Sequence, residues 1–139
     1  MEIMYTKDMG IISEDMLDGG FFAGWPNAPD AAVHLRLLRE SYLAYVAIDV
    51  FSGKVVGFIS AISDGVLSAY IPLLEVLPQY QGRGIGGALV RHMLAALDGL
   101  YMIDIVCDED KAPLYAKYGA IMHGRACIFR NHEAQSGRA

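Results

Sequence analysis

The chain has few charged residues of either sign, few cysteines and no long apolar run, and each shortage excludes a class of protein. Of its 139 residues, 11 are Lys or Arg and 16 are Asp or Glu, so the net charge is −5. Binding to a nucleic-acid backbone normally needs clustered Lys and Arg, so we expect no nucleic-acid partner. No apolar run approaches the roughly 18 residues that a membrane span needs, so no membrane partner is expected either.

Cysteine and histidine are also too sparse and too scattered for a disulfide framework or a metal site. We expect Cys107 and Cys127 to be buried free thiols in a reducing compartment. The histidines have no metal-ligand spacing, and a surface or hydrogen-bonded core position is favoured for each of them: His34, His92, His123 and His132. We therefore expect no metal site. The first residues lack the basic region and apolar block of a signal peptide, so we expect a cytoplasmic protein.

The composition indicates one compact domain. With 54% hydrophobic and 19% charged residues, the chain can bury a core and is far from the composition of disordered proteins. Its length suits a single core. We therefore expect one domain over residues 1–130, followed by a polar segment over 131–139 that frays.

The hydrophobic pattern predicts an α+β fold. Apolar runs bounded by turn residues predict strands over 2–6, 43–50, 55–62, 66–77 and 101–107, and a terminal strand pair around Gly124. Helical spacing predicts helices over 13–17, 30–40 and 88–97, and a short helix within 108–120. Tight turns join the three central strands, which are therefore antiparallel.

A glycine-rich segment joins a strand to a helix. Residues 82–87 read Gly-Arg-Gly-Ile-Gly-Gly and lie between the apolar run 70–77 and the amphipathic run 88–97. Glycine permits positive φ and the close approach of a ligand, while the first helical turn offers unpaired N–H groups and the positive end of the helix dipole. The junction therefore predicts a binding site for a diphosphate.

The spacing of the glycines separates the known phosphate-binding loops. A Walker loop requires Lys and then Ser or Thr after its last glycine, whereas Ala88 follows Gly87 here. A dinucleotide fingerprint would need an acidic residue about 20 residues later, and Asp104 lies near that distance. Such a fingerprint belongs near the start of a βαβ unit, however, whereas some 80 residues precede this loop. The remaining pattern, Gln-x-x-Gly-x-Gly over residues 81–86, resembles the acyl-CoA pyrophosphate loop of the GNAT superfamily of N-acyltransferases.

A later segment carries the same resemblance. Residues 108–120 resemble the short late helix of the GNAT family, in which Tyr115 takes the position of a tyrosine that faces the CoA sulfur. Asp108 stands where the family usually has Asn, and Ala120 stands where it usually has Phe. The resemblance covers residues 43–130 by motif, and the N-terminal third by pattern alone.

The resemblance implies a fold and a cosubstrate. The fold would be α+β, with a mixed, mostly antiparallel sheet flanked by helices and a parallel strand pair that splays apart to hold acyl-CoA. Acetyl-CoA would be the cosubstrate, with its pantetheine arm paired to the strand before the glycine loop. The implied cofactor-binding residues are Leu74, Val76, Leu77, Gln81, Gly82, Arg83, Gly84, Ile85, Gly86, Gly87, Asp108 and Tyr115.

Amide formation requires a group that removes a proton and a group that assists the departing thiolate. A Lys-like amine costs about 4.6 kcal/mol to deprotonate at pH 7, so a carboxylate near the thioester would help. Glu75 is the candidate base, unless strand alternation directs it to solvent or to an arginine. Tyr115 is the candidate hydrogen-bond donor to the thiolate, since full proton transfer is uphill by about 2 kcal/mol, unless the ring only fills space. A backbone N–H of Val76 or Leu77 would stabilise the oxyanion.

The acceptor side is less defined by sequence. Phe22 and Trp25 lie in an aromatic loop and are candidates to line an acceptor pocket, with core packing as the alternative. Asp64 is a candidate substrate contact, although the Asp-Gly pair at 64–65 favours turn formation as the alternative. The favoured function is N-acetylation of a small amine or of a protein or peptide amine by direct attack, without an acyl-enzyme. The alternative is a catalytically silent acyl-CoA-binding sensor or partner module, and family habit also implies a homodimer.

Overall fold

The computed structural model describes residues 1–120 and 126–138, which contain five strands and three α-helices. The strands are β1 Ile3–Thr6, β2 Leu43–Asp49, β3 Lys54–Ser63, β4 Ser68–Val76 and β5 Met102–Ile105. The α-helices are α1 Ala31–Glu40, α2 Ile85–Ala96 and α3 Ala112–Ala116. Short 3-10 turns cover Met9–Ile11, Glu14–Leu17, Pro78–Tyr80, Glu109–Lys111 and His132–Ala134. The helix expected over 13–17 is thus only a 3-10 turn.

The strands form one mixed sheet in the order β1-β2-β3-β4-β5. The pairings from β1 to β4 are antiparallel, and β4 pairs with β5 in parallel. A parallel neighbour requires a crossover connection, which α2 supplies between β4 and β5. The expected α+β fold with a mostly antiparallel sheet is confirmed.

The parallel pairing stops partway along β4. Ile71 is the last β4 residue with a partner on β5, Ile105, although β4 continues beyond it. From Tyr70 to Leu73 the chain advances three residues while the paired stretch of β3 advances two, so β4 carries a β-bulge there. Pro72 lies in this bulge and has no N–H to donate to a ladder. The bulge and the proline together leave the last part of β4 open on its β5 side.

Helices cover both faces of the sheet. α2 packs on one face, where a Cβ added to Gly57 would lie only 3.2 Å from Leu89 Cδ1. Phe58 points to the opposite face, because successive strand residues alternate, and its ring contacts those of Phe21 and Phe22. Leu89 and Phe58 have no exposed surface, and burying a side chain of this kind stabilises the fold by about 2–3 kcal/mol.

Two expectations about the later part of the chain have different outcomes. The strand pair expected around Gly124 falls on residues 121–125, which lie outside the described residues, and 126–130 have no regular secondary structure. Cys107 and Cys127 are exposed free thiols, so the expectation that they are buried is wrong. Both lie beyond the end of β5, in segments that contribute no residue to the buried core.

Residues 131–138 dock on the domain instead of fraying as expected. The backbone N–H of Asn27 donates to Gln135 Oε1 over 2.9 Å. The guanidinium of Arg138 pairs with Asp30 Oδ2 over 2.6 Å. The polar composition of residues 131–139 suggested a segment exposed to solvent. In the structure, the side chains of Gln135 and Arg138 instead bind Asn27 and Asp30, which precede α1.

The buried histidine also differs from expectation. His34 is 1% exposed, and neither ring nitrogen has a hydrogen-bond partner among the described residues, so it is neither on the surface nor satisfied in the core. The part of the chain that the structure describes contains no cluster of three or more His, Cys, Asp or Glu arranged to hold a metal ion. None of its helices is long and apolar enough to cross a membrane.

Candidate active site

The glycine loop ends at a left-handed glycine that begins α2 without a capping side chain. Gly82 and Gly84 have φ angles of 76° and 83°, which glycine adopts without strain. A Cβ at either position would have no heavy atom within 4 Å, so the space in front of both is open. Gly84 is the N-cap of α2, and no side chain accepts the helix N–H groups there. This end of α2 therefore presents unpaired donors and a positive dipole end.

The first turn of α2 packs against the end of β4 and against Tyr118. Ile85 is buried, and a Cβ added to Gly86 would lie 3.7 Å from Val76 Cγ2. A Cβ added to Gly87 would overlap the hydroxyl of Tyr118. Sequence reasoning did not single out Tyr118, because it precedes the glycine that ends the late helix and reads as a packing residue.

Two side-chain hydrogen bonds hold the loop to the sheet. Gln81 Nε2 donates to the Val76 carbonyl over 2.9 Å, and the Tyr80 hydroxyl donates to Asp49 Oδ2 over 2.7 Å. The guanidinium of Arg83 lies over the Tyr80 ring, 5.6 Å from its centroid. Sequence reasoning missed Tyr80 and Asp49, since no local pattern connects two residues on separate elements. The hydrogen bond from Tyr80 is also the main reason that the pKa of Asp49 is lowered.

The end of β4 directs alternate backbone groups to its open side. The Leu77 N–H donates to the Val56 carbonyl over 2.9 Å. Val76, opposite Gly57, is therefore in a non-hydrogen-bonded position relative to β3, and its N–H and that of Leu74 point away from β3. Because the N–H of Leu77 is already used, Val76 is the remaining candidate of the two for the oxyanion donor.

Glu75 lies on the same face of the sheet as Phe58, its cross-strand partner. Its carboxylate accepts the backbone N–H of Phe22 at 2.9 Å to Oε1 and 3.2 Å to Oε2. Burial raises the pKa of Glu75, and the Phe22 hydrogen bond opposes the shift. Glu75 is half-buried, and its hydrogen-bond partner among the described residues is a backbone N–H. The side chain is therefore neither directed to solvent nor paired with an arginine there.

The aromatic loop that holds this carboxylate also lines a pocket. Phe22 has a φ of 62°, a left-handed conformation that a non-glycine residue seldom adopts. Its ring is buried and packs on Trp25, with 5.1 Å between ring centroids, while Trp25 is 41% exposed. The pocket has a volume of about 310 Å³ and is lined by Phe22, Trp25, Pro29, Val33, Arg36, Leu37, Glu40, Leu73, Ala134, Gln135 and Gly137.

Asp64 is not brought to this pocket. Its Oδ1 accepts the backbone N–H groups of Val66, Leu67 and Ser68, and these bonds lower the pKa of the carboxyl, the Leu67 bond most. The turn that it forms precedes β4, about 20 Å of strand length from Glu75. The structure therefore uses Asp64 as a turn residue, which was the alternative reading.

Tyr115 lies on α3 and packs half-buried against the core. Burial raises the pKa of its phenol, and the charge of Cys107 raises it further. The phenol therefore stays protonated well above neutral pH and can donate a hydrogen bond. Asp108, at the start of the preceding 3-10 turn, is exposed and makes no side-chain capping bond.

Comparison with known proteins places this geometry in a family. The model of the acetyltransferase (GNAT) domain matches residues 40–119, more than half of the chain. The crystal structure of a Deinococcus radiodurans R1 protein assigned to the acetyltransferases shares 36% identity and a TM-score of 0.90, over 96% of this chain and 92% of that one. A GNAT-family acetyltransferase of Streptococcus pneumoniae TIGR4 shares 28% identity and a TM-score of 0.71, over 94% and 100%.

A curated relative matches over a shorter region. GCN5-related N-acetyltransferase 3, a chloroplastic protein of Arabidopsis thaliana, is 39% identical over 84 residues, which are 59% of this chain. Those residues span 35% of that protein, about a third of its length. The family match, the fold and the glycine loop agree, and the chain belongs to the GNAT acetyltransferase family.

Proposed function

We propose that the protein transfers an acetyl group from acetyl-CoA to a primary amine by direct attack within a ternary complex, without an acyl-enzyme. The observation that carries the proposal is the continuity between the open edge of β4 and the uncapped start of α2. An extended arm ending in a diphosphate fits this run of donors. The family supports an acyl-CoA cosubstrate in general, and acetyl-CoA supplies the activated thioester.

The backbone provides most of the binding. The N–H groups at the start of α2, from Gly84 to Gly87, would hold the diphosphate, and Arg83 adds a positive charge beside them. The N–H and carbonyl of Leu74 would pair with the arm, because they face the side of β4 that β5 does not cover. The Val76 N–H would donate to the carbonyl oxygen on which negative charge develops.

Glu75 is the proposed base. It lies on the face of β4 that carries the aromatic pocket, and its backbone partner Phe22 lines that pocket. An amine seated against Phe22 and Trp25 would deliver its proton to this carboxylate, either directly or through one water. The raised pKa makes Glu75 a stronger base than an exposed glutamate.

Tyr115 is the proposed donor to the departing thiolate. Its raised pKa makes proton release to a thiolate more uphill than for an ordinary tyrosine. We therefore assign it a hydrogen bond to the sulfur instead of a full proton transfer.

Calorimetric binding of acetyl-CoA tests the cosubstrate site. Gly84→Trp fills the open space before α2 and should abolish binding. Gly99→Trp is the matched control, since Gly99 also has positive φ with open space around it but lies past the other end of α2. Equal binding by the wild type and Gly84→Trp would contradict the proposed site.

Thiol release with a panel of primary amines tests the reaction. Tyr115→Phe keeps the ring and removes the hydroxyl, so turnover should fall by roughly tenfold to a hundredfold, the worth of one hydrogen bond to a charged group. Tyr101→Phe, at a tyrosine that is 79% exposed, is the control. Acetyl-CoA binding without thiol release on any amine would instead support a silent acyl-CoA-binding module.

A further inference from the structure

The segment Asn131–Arg138 lies across the loop that precedes α1 and faces the aromatic pocket. Two hydrogen bonds tie it to Asn27: the Asn27 N–H donates to Gln135 Oε1 over 2.9 Å, and Asn27 Nδ2 donates to the Glu133 carbonyl over 3.3 Å. Arg138 adds an ion pair with Asp30 over 2.6 Å. These contacts join parts of the chain more than 100 residues apart.

We propose that this segment is the outer wall of the acceptor pocket and sets the size of the amine that the enzyme accepts. The inference rests on the proposed acetyl transfer. The segment contributes Ala134, Gln135 and Gly137 to the lining of the pocket, together with Phe22, Trp25 and Leu73 and with residues of α1. An amine bound in this pocket therefore lies beside the segment.

Gly137 shows how closely the wall is seated. Its φ is 77°, and a Cβ added to it would lie 2.6 Å from Val33 Cγ1 on α1. Val33 is 8% exposed and belongs to a helix that is packed on the core, so it cannot give way easily. A side chain at 137 therefore requires Val33 or the segment to shift, and an outward shift of the segment would widen the pocket.

The position of the wall depends on polar contacts at the surface. Asp30 uses one carboxylate oxygen to cap α1, accepting the Val33 N–H over 2.9 Å, and the other to pair with Arg138. The ion pair is more than half exposed and is therefore weak. The Gln135 carboxamide, by contrast, is held by a backbone N–H.

The chemistry of the lining defines the acceptor. The two sides are mainly aromatic and aliphatic, and a volume of about 310 Å³ is at the lower end of the range for small-molecule sites. At the pocket, Glu40 is paired with Arg36 over 3.3 Å, so the carboxylate left to meet an amine is Glu75, which accepts the N–H of the lining residue Phe22. The pocket is therefore suited to a small primary amine with an apolar body, and long or branched amines would be excluded by residues 134–137.

The test compares Gly137→Ala and Gln135→Ala with the wild type on primary n-alkylamines of increasing length and on a lysine-containing peptide. Each variant should raise the ratio of kcat/KM for the longest amine to that for the shortest by about tenfold, with the KM for acetyl-CoA unchanged. Arg130→Ala is the control, since Arg130 is exposed, does not line the pocket, and its side chain donates a hydrogen bond to the carbonyl of its neighbour Phe129. Turnover with unchanged ratios in both variants would overturn the inference.

A second measurement separates this inference from the proposed reaction. Trp25 is the single tryptophan of the chain and lies at the pocket, so its fluorescence reports amine binding without turnover. Suppose that the wild type releases no thiol but the variants bind long amines more tightly, relative to short ones, than the wild type does. That result would contradict the proposed reaction and leave the pocket wall supported. Titrations that give the same Kd ratio for long and short amines in all proteins would sink the pocket wall.

Discussion

The fold should lose stability in mild acid because of one buried imidazole. His34 lies on α1 with its ring enclosed by those of Phe21, Phe22 and Phe58, at centroid distances of 5.0, 4.9 and 4.4 Å. Neither ring nitrogen has a hydrogen-bond partner among the described residues. Burial lowers the pKa of His34 from 6.5 to about 4.

The direction of the effect follows from proton binding. Between pH 6.5 and 4 the unfolded chain protonates this histidine and the folded protein does not, so stability falls as pH falls through that window. A lowering from 6.5 to about 4 corresponds to a loss of about 2 kcal/mol between pH 7 and pH 5. Over the whole window the loss approaches about 3.4 kcal/mol. That is a large part of the 5–15 kcal/mol typical of a domain.

Urea unfolding at pH 7 and pH 5 measures this directly in the wild type and in His34→Leu. Leucine fits an aromatic and aliphatic environment and cannot bind a proton, so the variant should lose about 2 kcal/mol less than the wild type between the two pH values. Groups common to both proteins cancel in that difference. His132→Gln, at an exposed histidine, should behave as the wild type does. If the wild type and His34→Leu lose equal stability, the reasoning from burial is refuted.

Two further outcomes follow from the active site. Glu75→Gln can still accept the Phe22 N–H but not a proton, so kcat/KM should fall by roughly 10²–10⁴ while thermal stability is kept. Because the pKa of Glu75 is raised, the wild-type rate should fall with decreasing pH around a pKa above that of an ordinary glutamate. Glu75→Gln should not show this fall. If both proteins have the same pH–rate profile, Glu75 is excluded as the base. Tyr80→Phe removes the bond to Asp49 that anchors the glycine loop, so acetyl-CoA should bind about threefold to tenfold more weakly by calorimetry, whereas Tyr101→Phe should bind normally. Equal affinities would show that the loop keeps its shape without this bond.

Local sequence signals predicted the elements that local physics determines. Asp30 marks the start of α1 because its carboxylate accepts the Val33 N–H, a bond within one helical turn. The glycine spacing predicted a strand-to-helix phosphate loop, since positive φ at Gly82 and Gly84 is a property of those residues themselves. The mixed sheet was implied by the family resemblance, and the antiparallel and parallel pairings of β4 confirm it.

The candidate site was predicted only in part. Glu75 was identified from its position near the loop, but its partner Phe22 is 53 residues away and no pattern links them. Tyr80 and Asp49 were not predicted for the same reason, since they are 31 positions apart in the sequence. The interruption of the β4–β5 ladder was implied by family resemblance alone, and the structure adds its cause in the bulge at Pro72.

By itself, the sequence determined the order of strands and helices, the glycine loop and the family, because these depend on residues that are neighbours along the chain. Only the tertiary structure decided that His34 is buried with no hydrogen-bond partner among the described residues, and that Ala134, Gln135 and Gly137 help to line a pocket with Phe22 and Trp25. Each of these depends on which distant segments meet, and on which polar groups lose water or find a partner when they do. Periodicity and composition do not record which distant segments come into contact, so the shape of the aromatic pocket is defined only in the folded chain.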